Sequence, residues 1–139
     1  MSELKALQPV VDALSRPFWQ AARAHHLVLP RCEGCQTLRA HFERWCAVCG
    51  DEHFQWERLS GRGKVWSHCI FHRIYFPSSD LKVPYNVAVV ALEEGPRLIS
   101  NIVGIDSQFI EIDMPVIVHF EDMTEEISLV KFKPLHFSV

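Results

Sequence analysis

Two CxxC pairs lie ten residues apart in "RCEGCQTLRAHFERWCAVCG", and they constrain this chain more than any other feature. Cys32, Cys35, Cys46 and Cys49 form the pattern C-x2-C-x10-C-x2-C. Tight knuckles of this kind converge four sulfurs, and four thiolates make a closed tetrahedral site for Zn²⁺. Such a site leaves no position for water or substrate, so the expected role of the metal is structural. Rubredoxin-like iron is the main rival to zinc. A dithiol redox centre would need only one of the two pairs. Gly50 after the second knuckle suits a backbone that turns its N–H groups toward sulfur, whereas Gln36 holds the equivalent place after the first.

The fifth cysteine, Cys69, lies in "VWSHCIFH" and reads as a small buried apolar residue on a strand.

A chain of 139 residues holds one compact domain, or a small lobe on a modest core. Hydrophobic residues at 48% and charged residues at 22% match an ordinary globular balance. No apolar run approaches the ~20 residues of a membrane helix. The N-terminal stretch lacks a charged-then-apolar signal pattern, so the expected location is cytoplasmic, without membrane attachment. Reduced thiols there favour metal ligation over disulfides.

Charge is divided unevenly. Residues 1–75 carry ten Lys/Arg against seven Asp/Glu, and residues 76–139 carry four against ten, within a net charge of −3. Any anion-binding surface is therefore expected on the first half.

Three segments follow from the pattern: residues 1–26 helical, 27–54 the zinc ribbon, and 55–139 a barrel. Ser15 is placed to cap a helix whose first turn holds Pro17, and "PFWQAARAHH" continues it, with "VVDAL" a shorter helix or lead-in. His25 and His26 would close that helix. "LVLPR" reads as a strand into the first knuckle and "HFERW" as the return to the second. Beyond them, "FQWERL", "KVWSHCIFHRIYF", "YNVAVVAL", "RLISNIVG", "PVIVHFE" and "LVKFK" read as strands. "EEGP" marks a hairpin in which Gly95 takes positive φ. The expected class is mainly β: an N-terminal helix, a rubredoxin-like zinc ribbon, then a five- or six-stranded OB-type barrel.

No complete catalytic constellation appears, and no GxSxG, HExxH or glycine-rich phosphate motif. One region does suggest a ligand. "ERLSGRGKVWSHCIFHRIYF" interleaves Arg58, Arg62, Lys64, His68, His72 and Arg73 with aromatic residues. Cations beside aromatic faces grip phosphates and stack adenine, in single-stranded nucleic acid or in coenzyme A. His68 and His72 lie four apart on this expected strand, so they share a face with Trp66, Ile70 and Ile74.

The order of helix, ribbon and barrel resembles the zinc-ribbon OB-fold family associated with acyl-CoA metabolism, the domain of unknown function thirty-five. The matching stretches are "PFWQAARAHHLVLPRCEGC", "CAVCG", "LSGRGKVWS", "VPYNVAVVALEEGPRLISNIVG", "MPVIVHFED" and a final "FKP". Gln36 and Asp113 depart from the family, which favours Gly at both places. The resemblance implies a non-catalytic scaffold in lipid metabolism that partners a thiolase-like or hydratase-type subunit and handles an acyl-CoA thioester. On that expectation a groove between the helix and the barrel takes the thioester. Trp19 lines its acyl side, Arg62, Lys64, His72 and Arg73 meet phosphates, and exposed apolar residues near the ribbon dock the partner. The rival is a single-stranded nucleic-acid-binding module, against which the net charge and a pI near 6.2 argue.

Overall fold

A computed structural model describes residues 9–40, 42–73 and 82–135. The elements in chain order are α1 (Arg16–Arg23), β1 (Val28–Cys32), β2 (Phe54–Arg58), β3 (Arg62–Phe71), β4 (Tyr85–Leu92), β5 (Arg97–Ser100), β6 (Pro115–Asp122) and β7 (Ser128–Pro134). One turn of 3-10 helix, Ser107–Phe109, stands between β5 and β6 where a longer helix would otherwise fit.

The helix is shorter than "PFWQAARAHH" suggests, because its end is built by the backbone. His26 N–H donates to the Ala21 carbonyl at 2.8 Å and His25 N–H to that of Ala22 at 2.9 Å. This pairing requires a left-handed residue at the stop, and His25 supplies it with φ 63°. At the other end Ser15 holds the N-cap position without a side-chain cap bond. Its N–H and hydroxyl instead donate to Asp12 Oδ1, each at 2.8 Å. Residues 9–14 form no helix.

β1 and β2 make a two-stranded antiparallel sheet, Val28 opposite Arg58 and Cys32 opposite Phe54. The strand at Phe54–Arg58, expected beside the barrel strands, thus belongs to the ribbon's own sheet. "HFERW" is not the return strand: residues 42–45 belong to no strand, and His41 lies outside the described residues. The Arg39 guanidinium occupies that stretch, donating to the Glu43 and Trp45 carbonyls at 3.2 and 3.0 Å. Those carbonyls therefore point inward to a side chain instead of sideways to a ladder.

The second sheet has the order β5-β4-β3-β6-β7, all antiparallel. Its two edges meet. Ile102, beyond β5, bridges Phe132 of β7 in parallel, with Val103 N–H to the Phe132 carbonyl at 2.8 Å. This closure makes the sheet an OB-like barrel. Asn86 secures it from inside, its side chain bonding both the N–H and the C=O of Ile102 at 2.7 and 2.9 Å. Phe132, Val65, Val90, Val116 and Ala88 fill the interior, and Phe18, Leu27 and Leu29 join the same apolar cluster. Helix and ribbon are thereby seated on the barrel. Gly61 is required where β3 enters: at φ 84°, an added Cβ would lie 2.5 Å from Val118 Cγ1.

β3 carries a bulge between Val65 and Ser67. Its extra residue, Trp66, is turned to solvent and 51% exposed. The expected common face of Trp66, His68 and Ile70 is therefore split: His68 and Ile70 pair with the inward residues Ala88 and Asn86. Cys69 is exposed, correcting the buried reading. The strand ends at Phe71, and residues 74–76 of the expected run lie outside the described residues, as do 1–8, 77–81 and 136–139.

Candidate metal centre and ligand groove

β1 delivers Cys32 at its last position, and the turn after it returns Cys35. The second knuckle follows the Arg39-held loop and brings Cys46 and Cys49 against the first. All four sulfurs lie within 4.8 Å of one another, with Cys32 to Cys49 at 3.5 Å and Cys35 to Cys46 at 3.6 Å. A tetrahedral Zn–S distance of ~2.3 Å implies sulfurs ~3.8 Å apart, so the cluster has the dimensions of a four-thiolate site. Val48 N–H points at Cys46 Sγ from 3.4 Å, the contact that steadies a ligating thiolate.

The thiols divide their protons unequally. Hydrogen bonds from the Thr37 hydroxyl and backbone lower the Cys35 pKa to about 6. At Cys49 the Asp51 backbone pulls the pKa down, but the neighbouring thiols, Cys32 first, and burial push it up to about 12. Crowded sulfurs cannot all ionise alone, and a divalent cation removes that conflict.

Two positions, one after the first knuckle and one on the barrel before β6, carry the departures from the family pattern. Gln36 has φ 64° and Asp113 φ 67°, left-handed conformations in which glycine is unstrained. Gly34 is fixed by the opposite demand. A Cβ there would come 2.7 Å from Asp51 Oδ2 and 3.2 Å from Cys49 Sγ. Arg39, only 8% exposed, sits with its guanidinium 5.1 Å over the Phe54 ring and ties the loop between the knuckles. Composition did not single it out, because the sole sequence signal is an arginine inside the inter-knuckle loop.

Of the residues expected to bind ligand, Trp19 lines a groove of about 240 Å³ between α1 and the barrel's closing edge. Phe18 meets it edge-on at 5.0 Å, and Leu98, Leu129 and Val130 complete an apolar wall. Arg62, Lys64, His72 and Arg73 are exposed and do not line this groove. Arg62 and Lys64 stand together where β3 begins, and His72 and Arg73 follow its end. A rise of ~3.3 Å per residue puts about 30 Å between the two pairs. On the other side of Trp19, Arg16 and Arg23 line a second hollow of about 410 Å³. Among the described residues, no helix is long and apolar enough to cross a membrane.

Comparison with known proteins places this architecture. Residues 56–121 match the family model described as "ChsH2, C-terminal OB-fold domain". A protein of Thermomonospora curvata called "Probable enoyl-CoA hydratase alpha subunit" is 39% identical over 135 residues, covering 94% of this chain and 41% of that relative. The chain therefore spans less than half of that relative's length. A "DUF35 domain-containing scaffold protein" of Methanocaldococcus jannaschii is 30% identical over 101 residues, covering 72% of this chain and 71% of the relative. Among solved structures, "Ltp2-ChsH2(DUF35) aldolase" superimposes with a TM-score of 0.82 at 35% identity, over 91% of this chain and 98% of the other.

Proposed function

The chain belongs to the DUF35 family of scaffold proteins, and from that premise we propose that it is a non-catalytic subunit partnering a thiolase-like or hydratase-type enzyme that acts on CoA thioesters. The observation that carries this reading is the near-complete overlap with the chain in "Ltp2-ChsH2(DUF35) aldolase", a name that joins such a domain to an enzyme. The hydratase alpha subunit from Thermomonospora supports it through a stretch covering 94% of this chain.

Zinc is the ion we assign to Cys32, Cys35, Cys46 and Cys49, because four thiolates at these separations satisfy its tetrahedral preference. It would supply no chemistry beyond holding the two knuckles, since four protein ligands leave no open position. The division of the chain at residue 26 and the cytoplasmic location belong to the same proposal, with the second boundary, expected at residue 54, set after β2 at residue 58 because β2 pairs with β1.

The acyl part of a thioester is assigned to the groove beside Trp19, whose lining is mainly apolar. The phosphate contacts are assigned to Arg62 with Lys64 at one place and His72 with Arg73 at another, since one phosphate cannot span both pairs. The test has two arms. The zinc-loaded chain is run through size-exclusion chromatography with the thiolase- or hydratase-type subunits encoded beside it, and thioester turnover is assayed with and without it. Co-elution, with turnover absent from the chain alone, is expected. Turnover by the purified chain alone, or failure to associate with every such subunit, would contradict the proposal.

A further inference from the structure

The groove beside Trp19 has a floor made of main chain. Its lining runs through consecutive residues on both sides, Leu98 to Asn101 and Leu129 to Lys131. Neighbouring side chains of an extended strand point to opposite faces, so an unbroken run brings the backbone itself to the surface.

The phase of the hydrogen bonds identifies the groups on that floor. In the β4–β5 hairpin Leu92 N–H donates to the Pro96 carbonyl, so Leu98 and Ser100 turn their N–H and C=O to β4. Ile99 and Asn101 turn theirs the other way, toward β7. In the β6–β7 hairpin Met123 N–H donates to the Ile127 carbonyl, so Val130 and Phe132 turn theirs toward β5. Where the barrel closes, these groups meet as a parallel ladder. Phe132 N–H donates to the Asn101 carbonyl at 3.1 Å, and Val103 N–H to that of Phe132 at 2.8 Å. The next rung, from Asn101 N–H to the Val130 carbonyl, is not made. The Ser100 hydroxyl takes the Val130 carbonyl at 2.7 Å, and no described residue accepts from Asn101 N–H. β5 and β7 form no ladder of their own.

A half-buried N–H without an acceptor is uncommon in a folded chain. This one is held in place, because the Asn101 side chain donates to the Asn86 carbonyl and its own carbonyl is fixed by Phe132. The groove thus combines an apolar wall of Phe18, Trp19, Leu98 and Leu129 with a floor that offers both N–H and C=O. An acyl chain can use the wall but gives the floor nothing. A thioester carbonyl accepts and cannot donate, whereas a secondary amide does both. In a CoA thioester the secondary amides lie in the pantetheine arm, just beyond the sulfur. A groove of about 240 Å³ falls below the ~300–1,000 Å³ of a complete ligand site, so it takes only this stretch of the molecule. A peptide strand fits less well. Seating one between two others takes ~9.6 Å, twice the ~4.8 Å strand spacing, and the Ser100–Val130 bond holds β5 and β7 closer than that.

We propose that Asn101 N–H and the main chain of Ile99 bind the pantetheine amides of a CoA thioester whose acyl group lies along Trp19. The assignment rests on the thioester reading above. The test titrates the zinc-loaded full chain by calorimetry with S-octanoyl-pantetheine, with the same compound methylated on both amide nitrogens, and with octanoyl-CoA. Amide-proton exchange at Asn101 is followed by NMR. S-octanoyl-pantetheine is expected to bind at least tenfold more tightly than its methylated analogue and to slow exchange at Asn101 at least tenfold. Equal affinity of the two, or thioester binding that leaves exchange at Asn101 unchanged, overturns the proposal while the thioester reading stands. If none of the three binds, both fail. Tetraglycine binding more tightly than S-octanoyl-pantetheine would give the seam to an extended peptide and overturn the proposal as well.

Discussion

The ribbon and the barrel solve the same problem by different means. The barrel closes strand on strand and fills its inside with Phe132, Val65, Val90 and Val116, all fully buried. The ribbon has one two-stranded sheet, a loop hung on Arg39, and four sulfurs within 4.8 Å. Its own apolar content is small, and Leu27 and Leu29 reach out of it into the barrel's core. A two-stranded sheet of this size does not hold itself together in water. The lesson is that the barrel's order comes from burial, while the ribbon relies on four converged cysteines able to hold a metal and on a borrowed core. The two halves should therefore fail under different insults.

The largest separation is expected on metal removal. Chelation, or Cys46→Ser, should remove amide protection from residues 42–58 while β4 amides keep theirs, read by hydrogen exchange. Structural zinc contributes an apparent ~10–16 kcal/mol in small metal-folded domains, so the ribbon should not stay ordered without it. Equal loss in both regions would break the comparison.

Next comes the converse experiment. Phe132→Ala should cost about 3–5 kcal/mol by opening a cavity at the barrel's closing bridge. Denaturant melts would show that loss, and a folded variant should still carry one zinc per chain by elemental analysis. Smaller and opposite in sign are Gln36→Gly and Asp113→Gly. Each relieves a left-handed backbone conformation and should stabilise by up to about 1 kcal/mol. The first should act on ribbon protection and the second on the barrel melt, which sharpens the comparison region by region.

The smallest effect concerns the joint between α1 and the barrel. Asp122 accepts from the Ser128 hydroxyl, meets His25 Nε2 at 2.9 Å and pairs with Arg23 at 3.0 Å. The Ser128 hydroxyl first, then His25 and Arg23, lower its pKa to about 2. A depressed carboxyl stabilises the fold above its unfolded value of 3.8 and loses that contribution as pH falls toward 2. The group is exposed, so the change should be slight. Urea melts of the parent and Asp122→Asn should differ at pH 6 and converge by pH 2. A constant difference would contradict this.

The readable parts of the fold were those with local signals. The four cysteines announce themselves by spacing, and the alternation in "YNVAVVAL" and "PVIVHFE" maps directly onto β4 and β6. Gly95 in "EEGP" takes the positive φ its turn suggests, at 120°. Illegible features depended on distant partners. "FQWERL" has a strand pattern, but nothing local says that β1 pairs with it. The Val65–Ser67 bulge leaves no local mark, and it turns Trp66 to solvent and Cys69 with it. For the groove, Trp19 was legible as an aromatic next to a helix's buried face. The 30 Å between the two cationic pairs was not legible, because sequence proximity along β3 concealed strand length.

The most direct test of the account is a calorimetric titration of the zinc-loaded chain with an acyl-CoA thioester, beside free CoA and a short single-stranded oligonucleotide. The account predicts thioester binding that exceeds both controls and weakens when Trp19 is replaced by Ala. Oligonucleotide binding without thioester binding would contradict it.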